Sequence, residues 1–457
     1  MLGPSKAKDL ELAKKFLEEN PDIETIEVLL PDINGVLRGK WLPRDNLLKA
    51  FKGGLKLPVT TLNFDIWGRD APGVAFDDGD ADGICVPVAA SLSRVPWTDR
   101  PMGQMFVHMA DLEEQPFIGD PRVVLDSIVE KFKAIGLTPV VAIELEFYLL
   151  ELKRDSTGRP VHAGCDANAD YPIGGQPYSL DLMQEYEEAF HEMREACETL
   201  GVPVDTLVKE FAPAQYEINL HHEDDPCSAA DHAMMLKRVI KSVARRHDLN
   251  ASFMAKPFGD MAGNGMHVHF SILDESGHNI FNNETEEGSE ALMHAIAGVQ
   301  STMVETMAVY APNFNSYRRF QPGSYAPMAP TWGYENRTVA LRIPSDDFAA
   351  TRIEHRVSGA DANPYLVLAS ILAGAYEGIS RKLQPTAAME GDAYSQAQSS
   401  LPVYWPDALN AFERSHFVRT HLGEVFQRSY LAAKRQELNE FRRTVTRMEY
   451  DAYLLSF

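Results

Sequence analysis

A chain of 457 residues with 45% hydrophobic and 24% charged side chains is long enough for two or more domains with a sizeable core. Charged residues interrupt every apolar stretch well before the ~20 residues of a membrane helix, and the N-terminus, with Lys6, Lys8 and Asp9, has no apolar signal core, so the sequence reads as cytoplasmic. With 43 basic against 66 acidic residues the formal net charge is -23, which disfavours nucleic acid and anionic lipid as partners and suits a cationic one.

In chain order, residues 10–17 have the spacing of a short amphipathic helix, and residues 23–30 are β-branched and alternating. Pro31-Asp32-Ile33-Asn34-Gly35 reads as a turn from which residues 36–41 return as the second strand of a hairpin. Short segments rich in Gly, Pro and Asp follow to about Asp111, including 68–83, and predict a small sheet-rich domain over residues 1–115. From Pro121 the pattern lengthens into a helix over 121–135 with Pro at its start, then an apolar strand over 138–150. A loop over 153–176, helices near 179–200 and 229–246, and mainly helical stretches over 364–382 and 405–457 complete a larger α+β domain, residues 116–457. Cys85, Cys165, Cys197 and Cys227 form neither a CxxC pair nor a zinc-type cluster and read as free packing thiols. There is no internal repeat, Walker loop or GxGxxG.

Polar pairs interrupt strands that should be apolar. Glu144 and Glu146 sit two apart in an apolar run, so in a strand they point to one face, about 6–7 Å apart. His267 and His269 repeat the pattern after the Gly-rich segment 259–265. Arg352, Glu354 and Arg356 align on one strand face, Arg337 and Arg342 bracket an apolar stretch, and Glu210 and Glu217 flank a segment that a strand, turn and strand would fold back. Each alone is also what a polar strand face or surface ion-pair ladder looks like. Together, five Glu, one His and several Arg imply hard divalent cations beside an anionic substrate, the surroundings of phosphoryl transfer; zinc or copper would want more His or Cys.

Glu144-Leu145-Glu146-Phe147, Gln215 between Glu210 and Glu217, Lys256-Pro257, Gly265-Met266-His267-Val268-His269, Asn315-Ser316-Tyr317-Arg318-Arg319, Asn336 to Pro344 and Asn363-Pro364-Tyr365-Leu366 resemble, in this order, type I glutamine synthetase and its relatives over nearly the whole chain. The resemblance implies an N-terminal β-grasp domain, a catalytic α+β domain and an active site shaped as a funnel between neighbouring subunits. It assigns one Mg2+ (or Mn2+) to Glu146, Glu210 and Glu217 and a second to Glu144, His267 and Glu354. It places His269, Ser271, Arg337, Arg342 and Arg352 at ATP, and Arg319, Arg356 and Gly263 at glutamate. Arginine forks suit phosphate and carboxylate, and magnesium bridges phosphate oxygens.

The sequence departs from that pattern on the amine side. Ammonia-using members carry a DGSS-like segment, where this chain has Phe64-Asp65-Ile66-Trp67-Gly68, and a flap reading PGYEAP, where it has Pro322-Gly323-Ser324-Tyr325-Ala326-Pro327. Tyr325 thus replaces a carboxylate that handles ammonium, and a phenol of ordinary pKa, ~10, is a poor substitute. An aromatic wall of Trp67, Tyr325 and Trp332 would suit an alkyl or aryl amine or a second ammonium group. Asp82 matches a family acidic position that the neighbouring subunit supplies, and the resemblance makes it the first candidate for holding or deprotonating the amine, ahead of Asp65, with Arg356 completing the catalytic set; a solvated acidic turn is the alternative for Asp82. The expectation is a γ-glutamyl-polyamine or γ-glutamyl-monoamine synthetase acting on glutamate and an amine, assembled as a dodecamer of two stacked hexameric rings and not adenylylated. The rivals are an ammonia-using glutamine synthetase, a catalytically silent structural relative and a polyamine sensor.

Overall fold

In the computed structural model, which describes residues 4–73, 79–164, 175–344 and 347–457, the N-terminal hairpin becomes part of a seven-stranded sheet. β1 (Thr25–Pro31) pairs antiparallel with β2 (Leu37–Arg38) and β3 (Trp41–Pro43), so the returning strand is split around Gly39 and Lys40. β4 (Lys56–Pro58), β5 (Asp82–Pro87), β6 (Ser93–Arg94) and β7 (Met102–Ala110) complete it, with β7 parallel to β1. The helix Pro4–Glu19 starts earlier than the apolar spacing indicated; Ala13, Ile26, Val28, Leu47, Cys85 and Met105 join in one core cluster. Cys165 and parts of the 68–83 and 153–176 segments lie outside the described residues.

The second sheet decides where the polar pairs go. β8 (Leu137–Glu151), β9 (Val204–Lys209), β10 (Gln215–Leu220), β11 (Leu249–Ser252), β12 (Met266–Asp274), β13 (Trp332–Tyr334), β14 (Leu341–Ile343) and β15 (Ile353–His355) form it in the order β13-β14-β15-β12-β8-β10-β9, with β11 beside β8. Alternation along β8 sends Ile143, Leu145 and Phe147 into the main core and leaves Glu144 and Glu146 on the opposite face. Pairing registers then align that polar face across strands: Glu144 stands opposite His267, Glu146 opposite Glu217, and Glu354 opposite His269 and Arg342.

The fold is α+β, a strand-rich N-terminal domain followed by a larger domain of mixed helices and sheet. The helix Pro226–Arg246 begins three residues before the expected start because Asp225 caps it, accepting from the Cys227 amide at 3.0 Å. The expected 179–200 helix is two, Leu180–Gln184 and Glu187–Leu200. The helix Glu290–Tyr310 is absent from the expected elements; it is apolar on nearly every side, so no helical stripe marks it. It packs on the helix Pro364–Arg381 through glycines, since a Cβ on Gly298 would lie 2.0 Å from the Gly374 carbonyl oxygen. No helix among the described residues is long and apolar enough to cross a membrane.

Candidate active site

The aligned face gathers five carboxylates and two imidazoles. His267 Nδ1 lies 3.2 Å from Glu144, 3.9 Å from Glu217 and 4.0 Å from Glu354, while His269 Nε2 lies 2.9 Å from the other oxygen of Glu144. Ligand atoms fall within 4.8 Å of one another in three sets: Glu146, Glu210 and Glu217; Glu144, Glu217 and His267; and Glu144, His269 and Glu354. The first is the set expected for one metal. In the second the geometry differs from expectation, because His269, expected at the nucleotide, joins Glu144 and Glu354, whereas His267 joins Glu144 and Glu217.

The carboxylates are not electrostatically alike. Burial pushes Glu217 up, and the charges of Glu144, Glu146, Glu210 and Glu354 add to this, placing it well above the ordinary carboxylate range. Burial and the Glu146 charge bring Glu210 to about 7. Burial also acts upward on Glu144, but hydrogen bonds with His267 and His269 outweigh it and hold that group well below the usual range. Glu354 is likewise brought down to about 2, against its burial, by Arg356 with His267 and His269. A carboxylate kept protonated by burial and by its carboxylate neighbours is a site short of positive charge, and oxygen-rich sets with at most one imidazole each suit Mg2+ or Mn2+.

Two cavities open on this cluster, and the two carboxylates of β8 divide between them. One, of about 590 Å³, is lined by Glu144, His269, Ser271 and Arg352 together with Asn219 and His222. The other, of about 340 Å³, is lined by Glu146, Glu210, Gly263, Arg319, Tyr325 and Arg356. Gly263 has to be glycine: a Cβ there would lie 2.7 Å from the Ala255 carbonyl oxygen and from Arg319 Cγ. Its carbonyl accepts from Gln215 Nε2 at 3.0 Å, and the Gly265 amide donates to Glu146 at 2.6 Å. Arg319 is buried and donates to the Val357 carbonyl at 3.0 Å. Arg356 donates to one oxygen of Glu354 and Arg342 to the other, at 2.8 Å. Arg352 donates to His269 Nδ1 at 3.3 Å, and Arg337 is exposed.

The expected amine-side residues are not brought together within one chain. Asp65, fully buried, accepts from the Trp67 and Arg69 amides, from Arg69 Nε and from Gln436 Nε2, at 2.7–2.9 Å. Its oxygens fix the 65–69 turn on the helix Glu424–Arg443, contacts that an amine-handling role would have to share. Trp67 packs on Phe441 of that helix, ring centroids 5.6 Å apart, and Arg69 lies over its ring. Trp332 is buried, donating to the Thr386 carbonyl at 2.8 Å, so it belongs to the core and not to an amine wall. Tyr325, 57% exposed at the rim of the smaller cavity, and Asp82, exposed at the start of β5, remain accessible.

Two polar side chains near the cluster escaped the sequence reading. Lys209, 1% exposed, donates to the carbonyls of Gly175, Glu210 and Ala212 at 2.6–2.8 Å and so holds the turn that carries Glu210. Tyr394 reaches the flap from a distant segment, donating to the Ala326 carbonyl at 3.1 Å. A lone Lys or Tyr with backbone partners carries no spacing signal.

Residues 118–453 match the family described as glutamine synthetase, catalytic domain. The chain is 40% identical over 443 residues to the gamma-glutamylputrescine synthetase PuuA of Escherichia coli (strain K12), covering 96% of this chain and 93% of that one. It is 32% identical over 463 residues to a glutamate–isopropylamine ligase of a Pseudomonas species, covering 99% of both. A solved GmaS/ADP complex superposes with a TM-score of 0.84 at 28% identity, over 97% of this chain and 99% of that one.

Proposed function

This chain belongs to the glutamine synthetase family, and from that premise we propose that it is an ATP-dependent glutamate–amine ligase, joining the side-chain carboxylate of glutamate to an organic amine. The observation that carries the choice of amine over ammonia is Tyr325 at the rim of the glutamate cavity, where an ammonia enzyme of this pattern has a carboxylate. The names of the two relatives, a putrescine and an isopropylamine ligase, support the same reading.

In this reading Glu146, Glu210 and Glu217 hold one divalent cation, and Glu144, His267 and Glu354 hold a second with His269 close by. When bound, these cations neutralise the phosphate charge. The larger cavity takes ATP, with Ser271 and Arg352 on its lining and Arg337 and Arg342 assigned to the nucleotide by the family pattern alone. The smaller cavity takes glutamate, its carboxylates held by Arg319 and Arg356 and its backbone approached through Gly263.

The two cavities meet at the carboxylate cluster, so in this reading the glutamate side chain would approach the terminal phosphate there. The γ-carboxylate oxygen attacks that phosphorus and the bond to ADP breaks, giving γ-glutamyl phosphate. The neutral amine then attacks the acyl carbon and phosphate leaves, while the ammonium form of the substrate has first given up a proton. Asp82 of a neighbouring subunit is the group we assign to holding the amine.

With glutamate and ATP fixed, ADP release is expected to be at least about tenfold more efficient, as kcat/KM, with putrescine or isopropylamine than with ammonium. Equal efficiency with ammonium would return the chain to plain glutamine synthesis, and no ADP release with any amine would leave a silent relative.

Shared sites require a ring, and we propose the dodecamer of two stacked hexamers. Asp82→Ala subunits mixed with Glu146→Ala subunits, each inactive alone, should regain part of the activity through hybrid sites. Properly mixed rings that stay inactive would place Asp82 outside the site.

A further inference from the structure

The flap over the glutamate cavity, residues 321–327, is held on both sides of Tyr325. Just before Tyr325, Ser324 Oγ lies 2.7 and 2.6 Å from the Arg319 and Gln321 carbonyl oxygens and shares its one proton between them. Just beyond its end the Met328 carbonyl accepts from the Ser400 and Leu401 amides at 3.0 and 3.1 Å. Between these anchors Tyr325 has a φ of +57°, a left-handed conformation costly for a bulky residue, next to Gly323 at +73°. Such a conformation persists only where neighbours determine it; Ala326, the residue after the tip, is held by a long bond from its amide back to Ser324 Oγ at 3.4 Å and by a shorter one from Tyr394 Oη to its carbonyl at 3.1 Å.

Tyr394 is itself held. Its short helix, Ala393–Gln396, is capped by Asp392, and the Ala393 amide donates to Thr338 Oγ1 at 3.0 Å. Asn336 Nδ2 ties the preceding strap through the Gly391 carbonyl at 2.8 Å. The phenol is half-buried and near the Ser324 hydroxyl and the guanidiniums of Arg356 and Arg319, so it stands behind the flap residues Ser324 to Ala326 that line the glutamate cavity.

We propose that Tyr394 is a positioning residue of the ligation: by holding the Ala326 carbonyl it sets Tyr325 over the acceptor side of the glutamate cavity, admitting amine while keeping water from the acyl phosphate. This rests on the ligase reading above. The competing reaction is hydrolysis, in which a water oxygen bonds to the γ-acyl carbon, the carbon–oxygen bond to phosphate breaks, and glutamate and phosphate leave with the water's protons shared between them and solvent. A flap that opens more often shifts this partition without touching phosphoryl transfer.

The test compares full-length wild type with Tyr394→Phe, which removes only the hydroxyl, and Tyr394→Leu, which also removes the ring. γ-Glutamyl amide formed and ADP released are measured with glutamate, ATP and Mg2+, with and without putrescine and isopropylamine. Loss of one neutral hydrogen bond should raise amine-independent ADP release and lower amide per ADP by about three- to tenfold in Tyr394→Phe. The amine KM should rise while the glutamate KM stays near wild type. A Tyr394→Phe enzyme with wild-type coupling overturns the proposal; if only Tyr394→Leu is then uncoupled, ring packing carries the effect. Absence of ADP release in wild type with every amine is a separate outcome that removes the ligase reading, and the proposal with it.

Discussion

Glu217→Gln and Glu354→Ala are both expected to cut turnover by roughly a thousandfold, since each removes a carboxylate from a cation-binding set, yet to move stability in opposite directions. Glu354 is 1% exposed and both its oxygens are taken, one by Arg342 and one by Arg356. Truncating it strands two guanidiniums, a loss of about 3–5 kcal/mol for a broken buried pair. Glu217 is the reverse case, because burial and its carboxylate neighbours already favour its protonated form and Gln imitates that form. The metal-free Glu217→Gln protein should melt at or above the wild-type temperature.

The sign with pH follows from the same groups. Glu210 and Glu217 have raised folded-state values, so the folded protein holds more protons than the unfolded chain from the ordinary value of 4.5 upward, to about 7 for Glu210. Their contribution to metal-free stability is therefore present at acid pH and lost as pH rises through that window. Glu354, depressed to about 2, contributes above the ordinary carboxylate value and loses this contribution only as pH falls toward 2. Melting in EDTA at pH 5 to 8 should show the Glu217→Gln protein gaining on wild type as pH rises, and Mg2+ should stabilise wild type more at the alkaline end. A gap that narrows with pH would remove this account of the cluster.

Tyr325→Glu is expected to raise the ammonia-to-amine ratio of kcat/KM by about tenfold or more, mainly by lowering amine use. The backbone already adopts the left-handed conformation at this position, so a Glu inherits no strain that Tyr does not bear. The new carboxylate would enter the cavity that Glu146 and Glu210 line, where it attracts ammonium and adds negative charge. Absolute ammonia use should stay modest, since Asp65 already holds its own turn. An unchanged ratio in an enzyme that already uses ammonia as well as any amine would defeat the amine-pocket reading.

What the sequence determined by itself is local and periodic. Two Glu or two His at a spacing of two must share a strand face, whatever the fold, so Glu144 with Glu146 and His267 with His269 were legible as pairs. The ordered blocks from Glu144 to Leu366 then carried the family. Only the tertiary structure decided which strands stand side by side, and hence that Glu354, more than two hundred residues from Glu144, reaches the same cluster as His269. It also separated residues that look equivalent in a list: Asp65 and Trp332 are engaged in contacts inside the chain, whereas Asp82 and Tyr325 stay open. Tyr394 owes its role to a bond across 68 positions. Burial and long-range hydrogen bonding depend on how distant segments are brought together, and no local spacing records that; strand alternation depends only on the geometry of one chain.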